Sequence, residues 1–183
     1  GDGVLVYPAS ATTITWTGAG ADTLVTNPDN WAVLSAAPNL AQGSIAAVFP
    51  PDAQSFTATF PAGISRFSGL TVNATNFTFA AAEEGAILGV GADGITYGHI
   101  ADATRDVVFN VPVAPLDEQT WSADLASTEA LLRIAFNRPF VDDPFGRGTV
   151  TITGGGKYTL YSTNSTYTGD MKIDKELAGG GVY

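Results

Sequence analysis

Gly148-Thr149-Val150-Thr151-Ile152-Thr153-Gly154-Gly155-Gly156-Lys157-Tyr158-Thr159-Leu160 holds two short alternating runs joined by three glycines. Successive side chains of an extended strand point to opposite faces. Val150 and Ile152, then Tyr158 and Leu160, therefore share an inward face. The threonines between them face outward, where a branched hydroxyl side chain suits a strand and stays soluble. The glycines fit sharp corners. Neither run can bury its own apolar face. A coil laid upon the next coil does so, with neighbouring strands about 4.8 Å apart. At about 20–25 residues per coil, the chain makes about six or seven coils.

The same grammar runs outward from this stretch. Val4–Tyr7, Thr12–Thr17, Ser55–Phe60, Leu70–Val72, Asn76–Phe79, Ala86–Val90, Ile95–Tyr97, Val107–Val113, Thr120–Ser122, Leu131–Phe136 and Met171–Ile173 read as strands. In Ser55–Phe60, residues Phe56, Ala58 and Phe60 face one way, and Thr57 and Thr59 the other. Clusters such as Asn27-Pro28-Asp29-Asn30, Pro50-Pro51-Asp52, Asp93-Gly94 and Asp142-Asp143-Pro144 read as turns. Ser127–Arg133 reads either as a short helix or as the start of a buried strand. Strands at this spacing suit a solenoid, a barrel or a sandwich. The reading adopted is one all-β domain over residues 1–183, a parallel β-helix or solenoid-like stack, with a jelly-roll β-sandwich as the alternative. Residues 1–50 form a more irregular N-terminal strand and cap region, and 51–183 the stack.

Composition narrows the function classes. Charged residues make up 14% of the chain, against about 25% in an ordinary domain. The net charge is −10, which opposes binding to nucleic-acid phosphates and to anionic membrane surfaces. There is no cysteine, so neither a disulfide nor a thiolate metal site is available. No run of 18 apolar residues spans a membrane as a helix. Gly1-Asp2-Gly3 has no basic or apolar leader, so the expectation is an extracellular, surface-located protein whose signal peptide has been removed.

Two segments then read together. One is Thr15-Trp16-Thr17-Gly18 followed by Asn30-Trp31 and Ala47-Val48-Phe49. The other is the opening stretch, continuing through Asn164-Ser165-Thr166-Tyr167-Thr168-Gly169 and Lys172-Ile173. Together they resemble the autotransporter-associated β-strand repeat of passenger-type surface proteins, and Gln119-Thr120-Trp121 is similar to a strand that precedes that repeat. The resemblance implies a right-handed parallel β-helix that is exported and displayed at the cell surface. One clear copy of the repeat is present.

A stack has two open ends, and open edges invite another chain. Val4, Leu5, Val6 and Tyr7 form a short apolar strand at one end, and Leu177, Val182 and Tyr183 lie in a glycine-rich apolar segment at the other. These are the candidate subunit-interface residues. The expectation is a homopolymer joined head to tail, one copy donating a terminal strand to the next, as a surface filament, fimbria or surface layer. The alternative is an adhesin or carbohydrate-binding module that contacts surface glycans through exposed Trp or Tyr. Catalysis is not expected. His99 stands alone without a nucleophile elbow, and Glu83-Glu84, Asp117-Glu118 and Asp142-Asp143 point to opposite faces when extended. Asp142-Asp143 supply only two side chains toward the six or more oxygens calcium takes, so no metal or cofactor is assigned. Trp16, Trp31 and Trp121 read as core. Asn73, Asn76 and Asn164 begin Asn-x-Thr sequons and are weak glycosylation candidates.

Overall fold

In the computed structural model every pairing between strands is parallel, the signature of a chain that winds rather than folds back. The structure describes residues 12–32, 34–98, 104–124, 132–144, 146–160 and 164–174. The strands are β1 (Thr12–Thr15), β2 (Ile45–Phe49), β3 (Thr57–Phe60), β4 (Gly63–Val72), β5 (Asn76–Ala81), β6 (Ala86–Tyr97) and β7 (Arg105–Asn110). They continue as β8 (Val113–Pro115), β9 (Gln119–Ala123), β10 (Leu132–Phe136), β11 (Val150–Gly154), β12 (Lys157–Leu160) and β13 (Met171–Asp174). One sheet runs β1-β2-β4-β6-β9-β11-β13, with β8 also beside β6; the other runs β12-β10-β7-β5-β3. The result is a β-solenoid of about five turns. A jelly roll needs antiparallel strands and is excluded.

Fewer coils form than a uniform repeat gives, because several coils are longer than about 20–25 residues. Thr12 pairs with Ile45, Asn76 with Asp106, and Gln119 with Val150. Inserted loops lengthen the path without adding a rung.

The long strands β4 and β6 each turn a corner. Gly63–Phe67 pairs with Ala86–Val90, the register shifts, and Gly69–Val72 then pairs with Gly94–Tyr97. β8 stacks on the first half of β6, and β9 on the second half. With the five-stranded sheet this gives the coil three sides. Asp93-Gly94, read from sequence as a turn between two strands, thus lies inside one bent strand. Gly94 has φ +64°, and a Cβ there would run into the backbone of Thr120 on the next coil. Only glycine allows both that backbone and that approach.

Inward positions stack rung on rung. One column runs Ile14, Ala47, Leu70, Ile95, Trp121, Ile152 and Ile173. On the second sheet Phe79, Phe109 and Phe136 align. Their rings stack at 4.8 Å and 15°, then 4.4 Å and 9°, and Trp121 closes the series on Phe136 at 5.0 Å and 15°. Each such pair adds about 0.5–1.5 kcal/mol beyond its buried area. Val150, Ile152 and Tyr158 are buried as the opening stretch requires, while Leu160 is only partly buried. Phe56 departs from the expected alternation. It precedes β3 and is 38% exposed, whereas Ala58 and Phe60 are buried. Outward polar side chains link coils, as in Asn137 Nδ2 donating to Asn110 Oδ1 at 2.9 Å and the Thr23–Thr59 hydroxyl pair at 3.1 Å.

Candidate functional site

The Thr-Trp-Thr-Gly and Asn-Trp pieces, apart in sequence, meet at the first coil. Trp16 and Trp31 bridge antiparallel and pack edge to face at 5.1 Å. The Trp16 indole N–H donates to the Ser55 carbonyl at 2.9 Å, and that of Trp31 to the Val25 carbonyl at 2.8 Å. Between them a 3-10 turn, Pro28–Asn30, is started by Asn27, whose side chain accepts from the Asp29 N–H. Asn30 is fully buried and satisfied. Its amide donates to Asp22 and to the Leu24 carbonyl, and its Oδ1 accepts from the Gly20 N–H. The Asn27 amide, the Leu24 N–H and the Asn30 amide hold the Asp22 carboxyl below its usual range. This knot fills the interior of the first coil, and Ile14 there is 3% exposed.

The far end of the same column is different. Ile173 on β13 is 56% exposed, one of two large exposed hydrophobics among the described residues. Its neighbours Lys172 and Asp174 are exposed and Met171 is half-buried. β13 pairs with β11 on one side, and among the described residues no strand pairs with its other side. The interior column thus reaches the last described rung without a polar residue to close it. The interface residues expected from sequence, Val4, Leu5, Val6, Tyr7, Leu177, Val182 and Tyr183, lie outside the described residues, as does His99.

The acidic pairs do not converge. Asp143 is paired with Arg66 at 2.8 Å, with side chains 0% and 14% exposed. Asp142 accepts from the Thr168 N–H at 2.9 Å and its hydroxyl at 2.8 Å. Those bonds, the backbone one foremost, hold the Asp142 carboxyl below its usual range. The two carboxylates brace the loop to different coils instead of facing one ion. Among the described residues no three His, Cys, Asp or Glu side chains gather as a metal site. Glu83 and Glu84 are exposed at the corner between β5 and β6, on the rim of a groove of about 540 Å³ that Arg138 also borders. Ile87, Pro112, Pro139 and Val141 line it, with no aromatic ring for a sugar to stack on.

Trp16, Trp31 and Trp121 are all buried and offer no platform to a glycan. Of the sequon asparagines, Asn76 and Asn164 are exposed and Asn73 is half-buried. Sequence reading missed Arg66 and Ile173. Arg66 lies in a half-strand without strong alternation, and the exposure of Ile173 depends on what stacks beyond it. No family model matches the chain, and neither a curated protein nor a solved structure matches it.

Proposed function

We propose that this chain is a structural subunit of an extracellular filament or surface layer, its copies joined head to tail so that one solenoid continues into the next. The observation that carries this reading is Ile173, 56% exposed at the end of a column otherwise buried from Ile14 onward. A parallel ladder has no intrinsic stop, and an uncovered rung with apolar side chains favours another β-strand. β1 and β13 belong to the same sheet and run parallel, so a β1 edge laid on a β13 edge extends that sheet without reversing it. Such a heterologous contact does not use up its own surface and propagates. The absence of cysteine, the low charge content and the net charge of −10 accord with an extracellular setting. The glycan-binding alternative loses its tryptophans as stacking residues, since all three are buried.

Negative-stain electron microscopy of the purified chain tests this. Regular fibres or sheets are expected, and Ile173→Asp should leave dispersed particles with unchanged circular dichroism. Removal of residues 1–8 separates strand donation from plain stacking, because donation alone requires them. Wild-type protein that sediments as a monomer at every concentration would end the proposal.

A further inference from the structure

The corner between β5 and β6 is longer than the corners stacked beside it. Ala80 pairs with Asn110 and Leu88 with Val113, so the seven residues 81–87 cover a path that the next coil closes with two, Val111 and Pro112. The coil after that keeps the short path. Phe109 pairs with Phe136 and Val113 bridges to Phe140, which leaves three residues on each coil, 110–112 and 137–139. A long loop therefore overhangs two flush, tight corners, and the groove of about 540 Å³ lies beneath it. That volume falls within the range of ligand sites, about 300–1,000 Å³.

The floor of the groove is aliphatic. Pro112 and Pro139 have no N–H to donate, and their carbonyls already accept from the Leu88 and Val113 N–H groups at 2.9 and 3.2 Å. Ile87 and Val141 complete the trough. Charge stands at its margins. Glu83 and Glu84 are exposed on the overhanging loop, and Arg138 is exposed on the second of the short corners. Among the described residues none of these three side chains has an ion-pair or hydrogen-bond partner. β5, β7 and β10 are successive neighbours in one sheet, so the negative and positive margins lie two rungs, about 10 Å, apart along the stack.

We propose that this groove binds an extended peptide segment of a partner protein, laid along the stack axis, with a Lys or Arg at Glu83 and Glu84, an Asp or Glu three residues away at Arg138, and aliphatic side chains between them in the trough. Three residues of extended chain cover about 10 Å, which matches the two charged margins. A free amino acid carries both charges on one carbon and cannot reach both. A sugar finds no aromatic ring to stack on, and a polyanion is repelled by the paired carboxylates. The groove lies on the flank of the middle coils, away from β1 and β13. Head-to-tail assembly leaves it open, so the site stands whether or not the chain polymerises.

The test is equilibrium dialysis of tritiated acetyl-Lys-Val-Val-Glu-amide against the whole chain, which reads monomer and polymer alike. Saturable uptake of one peptide per chain is expected, weaker in about 0.5 M sodium chloride. Acetyl-Gln-Val-Val-Glu-amide and acetyl-Lys-Val-Val-Gln-amide should each bind about three- to fivefold more weakly, the scale of an exposed ion pair. A Glu83→Gln/Glu84→Gln variant should lose the discrimination between Lys and Gln and keep that between Glu and Gln; Arg138→Gln should do the reverse. All three side chains are exposed, and unchanged circular dichroism confirms that each variant folds. No saturable uptake below about 1 mM peptide, or discrimination that survives the matching variant, overturns the site. Absent uptake together with altered sedimentation of Arg138→Gln would assign the groove to a second copy of the chain and equally overturn the proposal.

Discussion

Replacing Phe109 by alanine measures what joins one coil to the next. Phe109 is fully buried and stacks on Phe79 at 4.8 Å and on Phe136 at 4.4 Å. A buried Phe→Ala change costs about 3–5 kcal/mol. Phe109 loses two stacked partners at once, and both belong to neighbouring coils that cannot close the gap without shifting whole rungs. The upper part of that range, about 4–5 kcal/mol, is therefore expected, or about 10–15 °C in Tm for a chain of this size. Ile173→Ala is the internal control: at 56% exposure it should cost under about 1 kcal/mol. Urea denaturation, followed by circular dichroism and, in a Trp16→Phe/Trp31→Phe background, by Trp121 fluorescence, reads both. Because a solenoid is held by nearest-neighbour terms, Phe109→Ala should also separate the two probes, with Trp121 reporting the C-terminal coils. A cost below about 1.5 kcal/mol, or one no larger than that of Ile173→Ala, would refute the idea that the aromatic ladder couples the coils.

Three further outcomes follow from the geometry. Asp143→Asn removes the charge partner of the partly buried Arg66, which keeps its bond to the Ala41 carbonyl, and should cost about 1.5–3 kcal/mol, whereas Asp106→Asn, in an Arg133 pair with side chains 41% and 53% exposed, should cost under about 1 kcal/mol; urea midpoints decide. Asp22 and Asp142 titrate below the ordinary carboxylate value of 3.8, so their contribution is complete above that pH and is lost as pH falls through their lower folded values; acid titration of a double Asp→Asn variant should show a flatter limb than wild type. Gly94→Ala meets both a left-handed φ of +64° and the Thr120 backbone, while Gly85→Ala meets φ +80° with nothing within 4 Å; Gly85→Ala should cost about 1–2 kcal/mol and Gly94→Ala clearly more, and equal melting shifts would show that the coils do not approach closely there.

The alternating runs were legible because a strand that buries one face must alternate, whatever it packs against. Val150, Ile152 and Tyr158 fell inside, and the three tryptophans were core as read. The first half of β4 and the bend of β6 were not legible. In a solenoid the hydrogen bonds that define a strand run to the coils above and below, so Asp93-Gly94 can sit at a corner without breaking the ladder. The same cause hid the Arg66–Asp143 pair, whose members are 77 residues apart.

From its sequence alone the chain is an all-β stack without cysteine, strongly acidic, with Thr outside and Val, Ile and Phe inside, because local alternation and turn chemistry need no knowledge of distant partners. Tertiary structure decided which rung lies on which, and therefore that Ile173 is exposed on the last described rung and that Arg105 is driven inward. Coil lengths vary with each loop, so register arises from the fit of whole columns of side chains, and no local window of sequence contains that fit.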